Sequence, residues 1–129
     1  MVDRNTTSVL VVDDEVLVRM DLVDMLSAAG YRTREACCAA EGIEILERHA
    51  DVRIVFTDIQ MPGTMDGLAL SHYIRTRWPP TVIVVVSGNL SPKQCDVPES
   101  TKFMAKPFSA SELDHLLKKI EAELAESGS

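Results

Sequence analysis

The chain has 129 residues, of which 46% are hydrophobic and 26% are charged, and its formal net charge is −7. This size and composition predict one soluble globular domain, and the negative charge argues against non-specific binding to nucleic acid or to an anionic membrane. The sequence contains neither an apolar run long enough to span a membrane nor a signal peptide.

Short β-branched runs alternate along the chain with stretches whose apolar residues recur at helical spacing. The predicted strands are residues 8–12, 31–36, 52–57, 81–86 and 102–105. The predicted helices lie at about residues 18–29, 39–46, 67–74 and 113–124. Strands that alternate with helices predict an α/β domain with a parallel sheet covered on both faces.

Two stretches refine this prediction. Ser109 and Glu112 have the spacing of a capping box, which marks the start of the last helix. The segment 88–100 is polar and contains Pro92 and Pro98, and proline disfavours helical geometry in the residue before it. We therefore expect at most about one turn of helix between the fourth and fifth strands.

Cysteine and histidine usage adds no motif to this pattern. Cys37, Cys38 and Cys95 make an odd count without the spacing of metal ligands, and we interpret them as buried or idle thiols in a reducing cytoplasm. The three histidines are scattered and indicate neither a zinc site nor a catalytic base.

Polar residues that could bind a ligand or take part in catalysis follow four of the predicted strands. Asp13 and Asp14 follow the first strand, Asp58 the third, Ser87 the fourth and Lys106 the fifth. In open α/β sheets the carboxyl ends of the strands form the ligand-binding edge. Each residue alone has an ordinary explanation, such as a helix cap, a turn or a surface charge, but their joint occurrence predicts one site.

Three carboxylates at one edge repel one another, so without a cation at least one of their pKa values is expected to rise. A hard divalent ion such as Mg²⁺ relieves this repulsion, because it prefers oxygen ligands. Asp13, Asp14 and Asp58 would supply acidic ligands, and the backbone carbonyl of Gln60 is placed to join them.

The remaining residues of this edge suit phosphoryl transfer to a carboxylate. Asp58 would be the oxygen nucleophile and needs no general base, because its side chain is already ionised. Lys106 would contact one phosphoryl oxygen with a compact positive charge, and the hydroxyl of Ser87 would donate to another.

These residues carry a resemblance to the receiver domain of two-component response regulators, and it covers nearly the whole chain. The matching motifs are Val11-Val12-Asp13-Asp14-Glu15, Asp58-Ile59-Gln60-Met61-Pro62, Met65-Asp66-Gly67, Ser87 and Lys106-Pro107-Phe108. The resemblance implies a flavodoxin-like (βα)5 doubly wound sheet with strand order 2-1-3-4-5. We expect a single domain over residues 1–129, with its core at about 8–125, of the stand-alone type and with a short or degenerate fourth helix.

The resemblance also implies roles for individual residues. Asp58 would accept a phosphoryl group from a histidine kinase or a histidine phosphotransfer protein, with Mg²⁺ held by Asp13 and Asp14. Ser87 and Phe103 would form the conformational switch, and the peptide bond before Pro107 would be cis. Such a domain is a signalling module that catalyses only its own phosphorylation and dephosphorylation.

The sequence departs from the usual receiver pattern beside the site. Gly63-Thr64 adds one residue to the loop after Pro62, and Gly88 stands where the family usually has alanine. The missing methyl group at Gly88 widens access to the phosphoryl group.

Three other functions fit the pattern less well. A phosphatase with an aspartyl nucleophile would carry a second acid where this chain has Gln60, and a flavodoxin-type nucleotide module would need a phosphate-binding loop instead of Asp14-Glu15. A purely structural pseudo-receiver would not need the complete set of acids, hydroxyl and lysine.

Overall fold

A computed structural model of the chain describes residues 4, 6–59, 63, 65–88, 98 and 100–126. The strands are β1 (Ser8–Val12), β2 (Arg32–Ala36), β3 (Val52–Asp58), β4 (Val82–Ser87) and β5 (Lys102–Ala105). The helices in the described part of the chain are α1 (Val16–Ala28), α2 (Ala39–Arg48), α3 (Gly67–Arg77) and α4 (Ala110–Glu126).

All neighbouring strands are parallel, and their order in the single sheet is β2-β1-β3-β4-β5. This order confirms the predicted flavodoxin-like α/β fold. The expected short fourth helix between β4 and β5 falls on residues 89–97 and 99, which lie outside the described residues.

The two faces of the sheet bury separate apolar clusters, because successive side chains of a strand point to opposite faces. Val9 and Val11 of β1 face the side covered by α1 and α4. Leu10 and Val12 face the side covered by α2 and α3. Every residue of β1 is buried, as expected for a central strand of a parallel sheet.

The register of the strands brings their carboxyl ends into one row. Val12 pairs with Thr57 of β3, Asp58 pairs with Val86, and Ser87 pairs with Ala105 of β5. The residues that follow β1 and β5 therefore emerge beside the end of β3.

The predicted capping residue starts the last helix. The Ser109 hydroxyl accepts the backbone N–H of Glu112 at 3.1 Å, which satisfies one of the unpaired donors in the first turn of α4. Among the helices of the described residues, none is long and apolar enough to cross a membrane.

Candidate functional site

Three aspartates meet where β1 and β3 end. Carboxylate oxygens of Asp13, Asp14 and Asp58 all lie within 4.8 Å of one another. Asp13 and Asp58 are buried, with only 4% and 8% of their surface exposed, whereas Asp14 is exposed. Buried carboxylates this close need a cation, because neither water nor distance reduces their repulsion.

A lysine ammonium supplies positive charge within the protein. Nζ of Lys106 lies 3.1 Å from Oδ2 of Asp58 and 3.5 Å from Oδ2 of Asp13. The backbone N–H of Lys106 donates to the carbonyl oxygen of Ser87 at 3.0 Å, which extends the β4–β5 pairing to the site. The peptide bond between Lys106 and Pro107 is cis, as the sequence resemblance implied.

Burial and the neighbouring charges perturb the ionisation of this cluster. Burial raises the pKa of Asp13, and the charge of Asp58 adds to the increase, although the backbone N–H of Glu15 and the Lys106 ammonium oppose it. The pKa of Lys106 is raised, because the hydrogen bond to Asp58 and the two nearby carboxylates outweigh its partial burial. The sequence predicted a raised carboxyl pKa from the repulsion of three acids, but burial is the larger cause for Asp13 and the charge of Asp58 the smaller one.

Two partners that the sequence did not reveal hold Asp13 in place. The backbone N–H of Glu15 donates to Oδ1 of Asp13 at 2.9 Å. Nη1 of Arg19 donates to the Asp13 carbonyl oxygen at 2.6 Å, and Nε of the same side chain pairs with Glu35 at 3.1 Å. Arg19 lies off the apolar stripe of α1, so the pattern indicated only a solvent-facing position.

Gly67, at the start of α3, lies against the backbone of Asp58. A Cβ atom on Gly67 would lie 1.6 Å from the carbonyl oxygen of Asp58, so no other residue fits there without a shift of the backbone. The N–H of Gly67 donates to the Ile59 carbonyl at 2.7 Å, and Asp66 caps α3 by accepting the N–H of Ala69 at 2.8 Å. The start of α3 is thus packed directly against the chain that presents Asp58.

The two residues expected to form the switch, Ser87 and Phe103, lie on the paired strands β4 and β5. Ser87 is half-buried at the end of β4, one residue beyond Val86, the partner of Asp58. Phe103 is half-buried on β5 and packs against the apolar cluster on the α2 and α3 face. Gln60, the expected backbone ligand, lies outside the described residues.

The position after Ser87 leaves space beside the lysine. A Cβ atom on Gly88 would lie 3.8 Å from Cβ of Lys106, which is ordinary van der Waals contact. With respect to the described residues, an alanine would therefore fit at this position.

The donor set fits a hard divalent cation. Its side-chain ligands are carboxylate oxygens, which Mg²⁺ prefers, and the exposed Asp14 leaves one side of the cluster open to water. The arrangement joins an anionic cluster to one lysine at the ligand-binding edge of the sheet, as phosphoryl transfer requires.

Comparison with known proteins agrees with this geometry. The family model described as the response regulator receiver domain matches residues 9–118. The chain is 35% identical over 119 residues to sensor kinase CckA of Brucella abortus, an alignment that covers 89% of this chain and 12% of that protein. It is 32% identical over 112 residues to the transcriptional regulatory protein PdtaR of Mycobacterium tuberculosis, which covers 81% of this chain and 52% of that protein.

A solved structure gives the same result in three dimensions. The receiver domain of NtrX from Brucella abortus superposes with a TM-score of 0.76 at 32% sequence identity, and the match covers 86% of this chain and 95% of that chain. The chain spans about half of the PdtaR sequence and a much smaller share of CckA.

Proposed function

The chain belongs to the response regulator receiver family, the receiver domains of two-component systems, and from this premise we propose that Asp58 is its phospho-acceptor. The observation that carries the proposal is the buried Asp58 carboxylate, 3.1 Å from the Lys106 ammonium and within 4.8 Å of two further carboxylates. Receivers of two-component systems interact with histidine kinases. The proposed donor is a phosphohistidine on a histidine kinase or a histidine phosphotransfer protein.

The transfer needs only an oxygen nucleophile, positioning and charge neutralisation. An oxygen of the ionised Asp58 carboxylate forms a bond to phosphorus while the bond from phosphorus to the donor imidazole breaks. Lys106 moves from its carboxylate partner to a phosphoryl oxygen, where its point charge balances the added negative charge. The Ser87 hydroxyl donates to a second phosphoryl oxygen.

The proposed cofactor is Mg²⁺, for which the aspartate cluster is the supporting observation. Asp13, Asp14 and Asp58 would hold the ion, and Gln60 would add its backbone carbonyl. When bound, Mg²⁺ neutralises charge on the carboxylates and the incoming phosphoryl group.

Phosphorylation is proposed to reach the surface through Ser87 and Phe103. A shift of the Ser87 hydroxyl towards the phosphoryl group would vacate space beside β5, and Phe103 would rotate inward. NMR with and without a phosphoryl mimic such as beryllofluoride tests this step. Identical surroundings for the Phe103 ring in both states would mean that this side chain is permanent core.

The wider setting follows from the same proposal. The receiver family consists of signalling domains, and we extend this to self-catalysed phosphorylation and dephosphorylation, with no nucleic-acid or membrane partner. The proposed location is the cytoplasm, where a histidine kinase would make the phosphohistidine donor from ATP. Residues 1–129 are treated as one receiver domain with its core at about 8–125.

Intact-mass measurement with acetyl phosphate as donor tests the assignment of Asp58. Wild-type protein should gain one phosphoryl group in the presence of Mg²⁺ and none after chelation. Asp58→Asn should gain none, because the amide cannot act as the nucleophile. Asp21→Asn, which removes an exposed acid from α1, is the matched control and should be labelled like wild type. Undiminished labelling of Asp58→Asn would overturn the assignment.

A further inference from the structure

A second group of potential metal ligands lies at the carboxyl end of β2. Sγ of Cys37, Sγ of Cys38 and a carboxylate oxygen of Glu41 all lie within 4.8 Å of one another. Both cysteines are free thiols; Cys37 and Glu41 are exposed, and Cys38 is half-buried. The spacing of the cysteines does not predict this group, because Glu41 comes close to the two thiols only when α2 forms its first turn.

Two hydrogen bonds hold the carboxylate beside the thiols. Glu41 accepts the backbone N–H of Cys37 at 3.2 Å, and the Cys37 thiol donates to its other oxygen at 3.0 Å. These bonds fix Glu41 against Cys37, and the ligand atom of the adjacent Cys38 lies within 4.8 Å of both.

Cys38 occupies a position that other residues fill better. It is the N-cap of α2, with extended backbone and without a side-chain hydrogen bond to the helix. Serine, threonine, asparagine and aspartate are preferred there, because their oxygens accept N–H groups of the first turn. The Cys38 thiol is thus not used for capping, which leaves its sulfur available as a ligand.

Two of the three residues, Cys37 and Glu41, line a cleft with room for an ion and water. The cleft has a volume of about 330 Å³ and is lined by Arg19, Glu35, Ala36, Cys37 and Glu41. The positive charge of Arg19 is already engaged, because its guanidinium contacts Glu35 and the Asp13 carbonyl oxygen.

We propose that Cys37, Cys38 and Glu41 bind one thiophilic divalent metal ion of the Zn²⁺ class, with water as the fourth ligand. Zinc is bound by cysteine sulfur at about 2.3 Å and by carboxylate oxygen at about 2.0–2.2 Å in tetrahedral sites, so neighbouring ligand atoms lie about 3.5–4 Å apart. The proposal requires side-chain rotations that shorten the observed separations, which are at most 4.8 Å, to that spacing. Both thiols lose their protons to solvent when the ion binds.

The two groups of ligands differ in the metal ions that they select. The aspartate cluster at β1 and β3 offers only oxygen, which suits Mg²⁺, whereas two thiolates favour softer ions. The groups are structural neighbours, since β2 pairs with β1 and the N–H of Asp13 donates to the Ala36 carbonyl at 3.1 Å. An excess of Mg²⁺ should therefore leave the thiolate site unaffected.

Cd²⁺ titration of the whole chain tests the proposal, because thiolate-to-cadmium charge transfer absorbs in the ultraviolet. The protein is kept reduced with a phosphine that does not bind the metal, and Zn²⁺ affinity is measured in parallel against a chromophoric chelator. The expected result is one ion per chain, with the same affinity in excess Mg²⁺. The absence of a charge-transfer band would overturn the proposal.

Ligand variants identify the site. The double variant Cys37→Ser/Cys38→Ser keeps a hydroxyl donor for Glu41 and places a preferred residue at the N-cap, so it should fold, and thermal unfolding checks this. It should lose the band. Cys95→Ser is the matched thiol control and should keep it. A band that survives in the double variant, or disappears in Cys95→Ser, would contradict the assignment.

The carboxylate ligand has its own matched pair. Glu41→Gln should weaken Zn²⁺ binding by more than about tenfold, because losing a ligand costs at least as much as losing an outer-shell partner. Glu44, an exposed acid three residues further along α2, pairs with Arg48. Glu44→Gln is the control and should bind Zn²⁺ like wild type. Equal affinities for the two variants would remove Glu41 from the site. A ratio of one ion to two chains would show bridging between molecules and would also overturn the proposal.

Discussion

At the scale of single residues, the two glycines beside the candidate site have opposite surroundings. A Cβ atom on Gly67 would lie 1.6 Å from the Asp58 carbonyl oxygen, whereas a Cβ atom on Gly88 would, among the described residues, meet only Cβ of Lys106 at 3.8 Å. Neither glycine needs a positive φ angle, so backbone strain does not distinguish them. The two positions differ in how closely other atoms approach the glycine Cα.

Gly67→Ala should therefore destabilise the domain by about 1–3 kcal/mol, the usual cost of overpacking, even though alanine favours helices. It should also reduce phosphorylation of Asp58, because the backbone that presents the carboxylate must move. Urea unfolding and acetyl phosphate labelling measure the two effects.

Gly88→Ala serves as the matched control for this prediction. Its stability should stay the same or rise by about 0.4–1 kcal/mol, because alanine restricts the unfolded chain and meets no clash. If Gly67→Ala proved as stable as Gly88→Ala, the close packing of α3 against Asp58 would be refuted.

At the scale of elements, the segment before β1 is tied to the last helix by an arginine. Nε and Nη2 of Arg4 pair with the two carboxylate oxygens of Glu121 at 2.6 and 3.0 Å, and Nη1 donates to the Ala29 carbonyl at 2.6 Å. The Tyr31 hydroxyl also donates to Glu121, and the Arg4 guanidinium lies 5.2 Å from the centre of the Tyr31 ring. This cluster connects α4, the end of α1 and the start of β2.

The cluster predicts a pH-dependent contribution to stability. The hydrogen bonds from Arg4, assisted by the one from Tyr31, lower the pKa of Glu121 below its ordinary value of 4.5. The stabilisation is therefore complete above pH 4.5 and is lost as the pH falls through the lower pKa of the folded state. We expect about 1–2 kcal/mol at neutral pH, since the pair is only partly exposed.

The free energy of unfolding of wild type and Glu121→Gln measures this contribution between neutral and acid pH. The difference between the two proteins should be largest at neutral pH and should shrink at low pH. Glu123→Gln, which breaks a more exposed pair with Lys102, is the control and should cost less. A difference that did not change with pH would contradict the pKa argument.

The elements themselves were largely predictable from the sequence, because each depends on a local pattern. The bounds of β1 and β5 match the prediction, and Ser109 starts α4 as expected. β3 and β4 each continue one residue further than predicted, through Asp58 and Ser87. The parallel ladder includes these two polar residues, and a hydrophobic pattern cannot show that.

The parts of the site that escaped prediction depend on contacts between distant segments. Arg19 lies on the polar side of α1, and only the fold brings its guanidinium to the Asp13 carbonyl. Gly67 belongs to a motif that carries the family resemblance, but the sequence does not show why a glycine is needed there, which the packing of α3 on β3 explains. Glu41 approaches the two thiols only after α2 has formed. None of these contacts has a signature in residue spacing.

At the scale of the whole molecule, the clustered acids of the candidate site lower the stability of the domain. The chain has a net charge of −7, and three of its acids meet at one edge of the sheet with one lysine among them. Their mutual repulsion opposes folding, because the unfolded chain separates these charges. A metal ion that binds only the folded state should recover this stability.

Mg²⁺ should therefore raise the melting temperature of wild-type protein. At a free Mg²⁺ concentration of about 100 times Kd, the free energy of unfolding should increase by about 2.7 kcal/mol. Asp14→Asn should melt higher than wild type without Mg²⁺, since it removes one repelling charge, and should gain less when Mg²⁺ is added. Asp21→Asn removes an equally exposed acid from α1 and should respond to Mg²⁺ like wild type. Melting curves recorded over a Mg²⁺ titration, with Na⁺ added to hold ionic strength constant, separate specific binding from screening. An equal Mg²⁺ response in Asp14→Asn and Asp21→Asn would show that Asp14 is not a ligand.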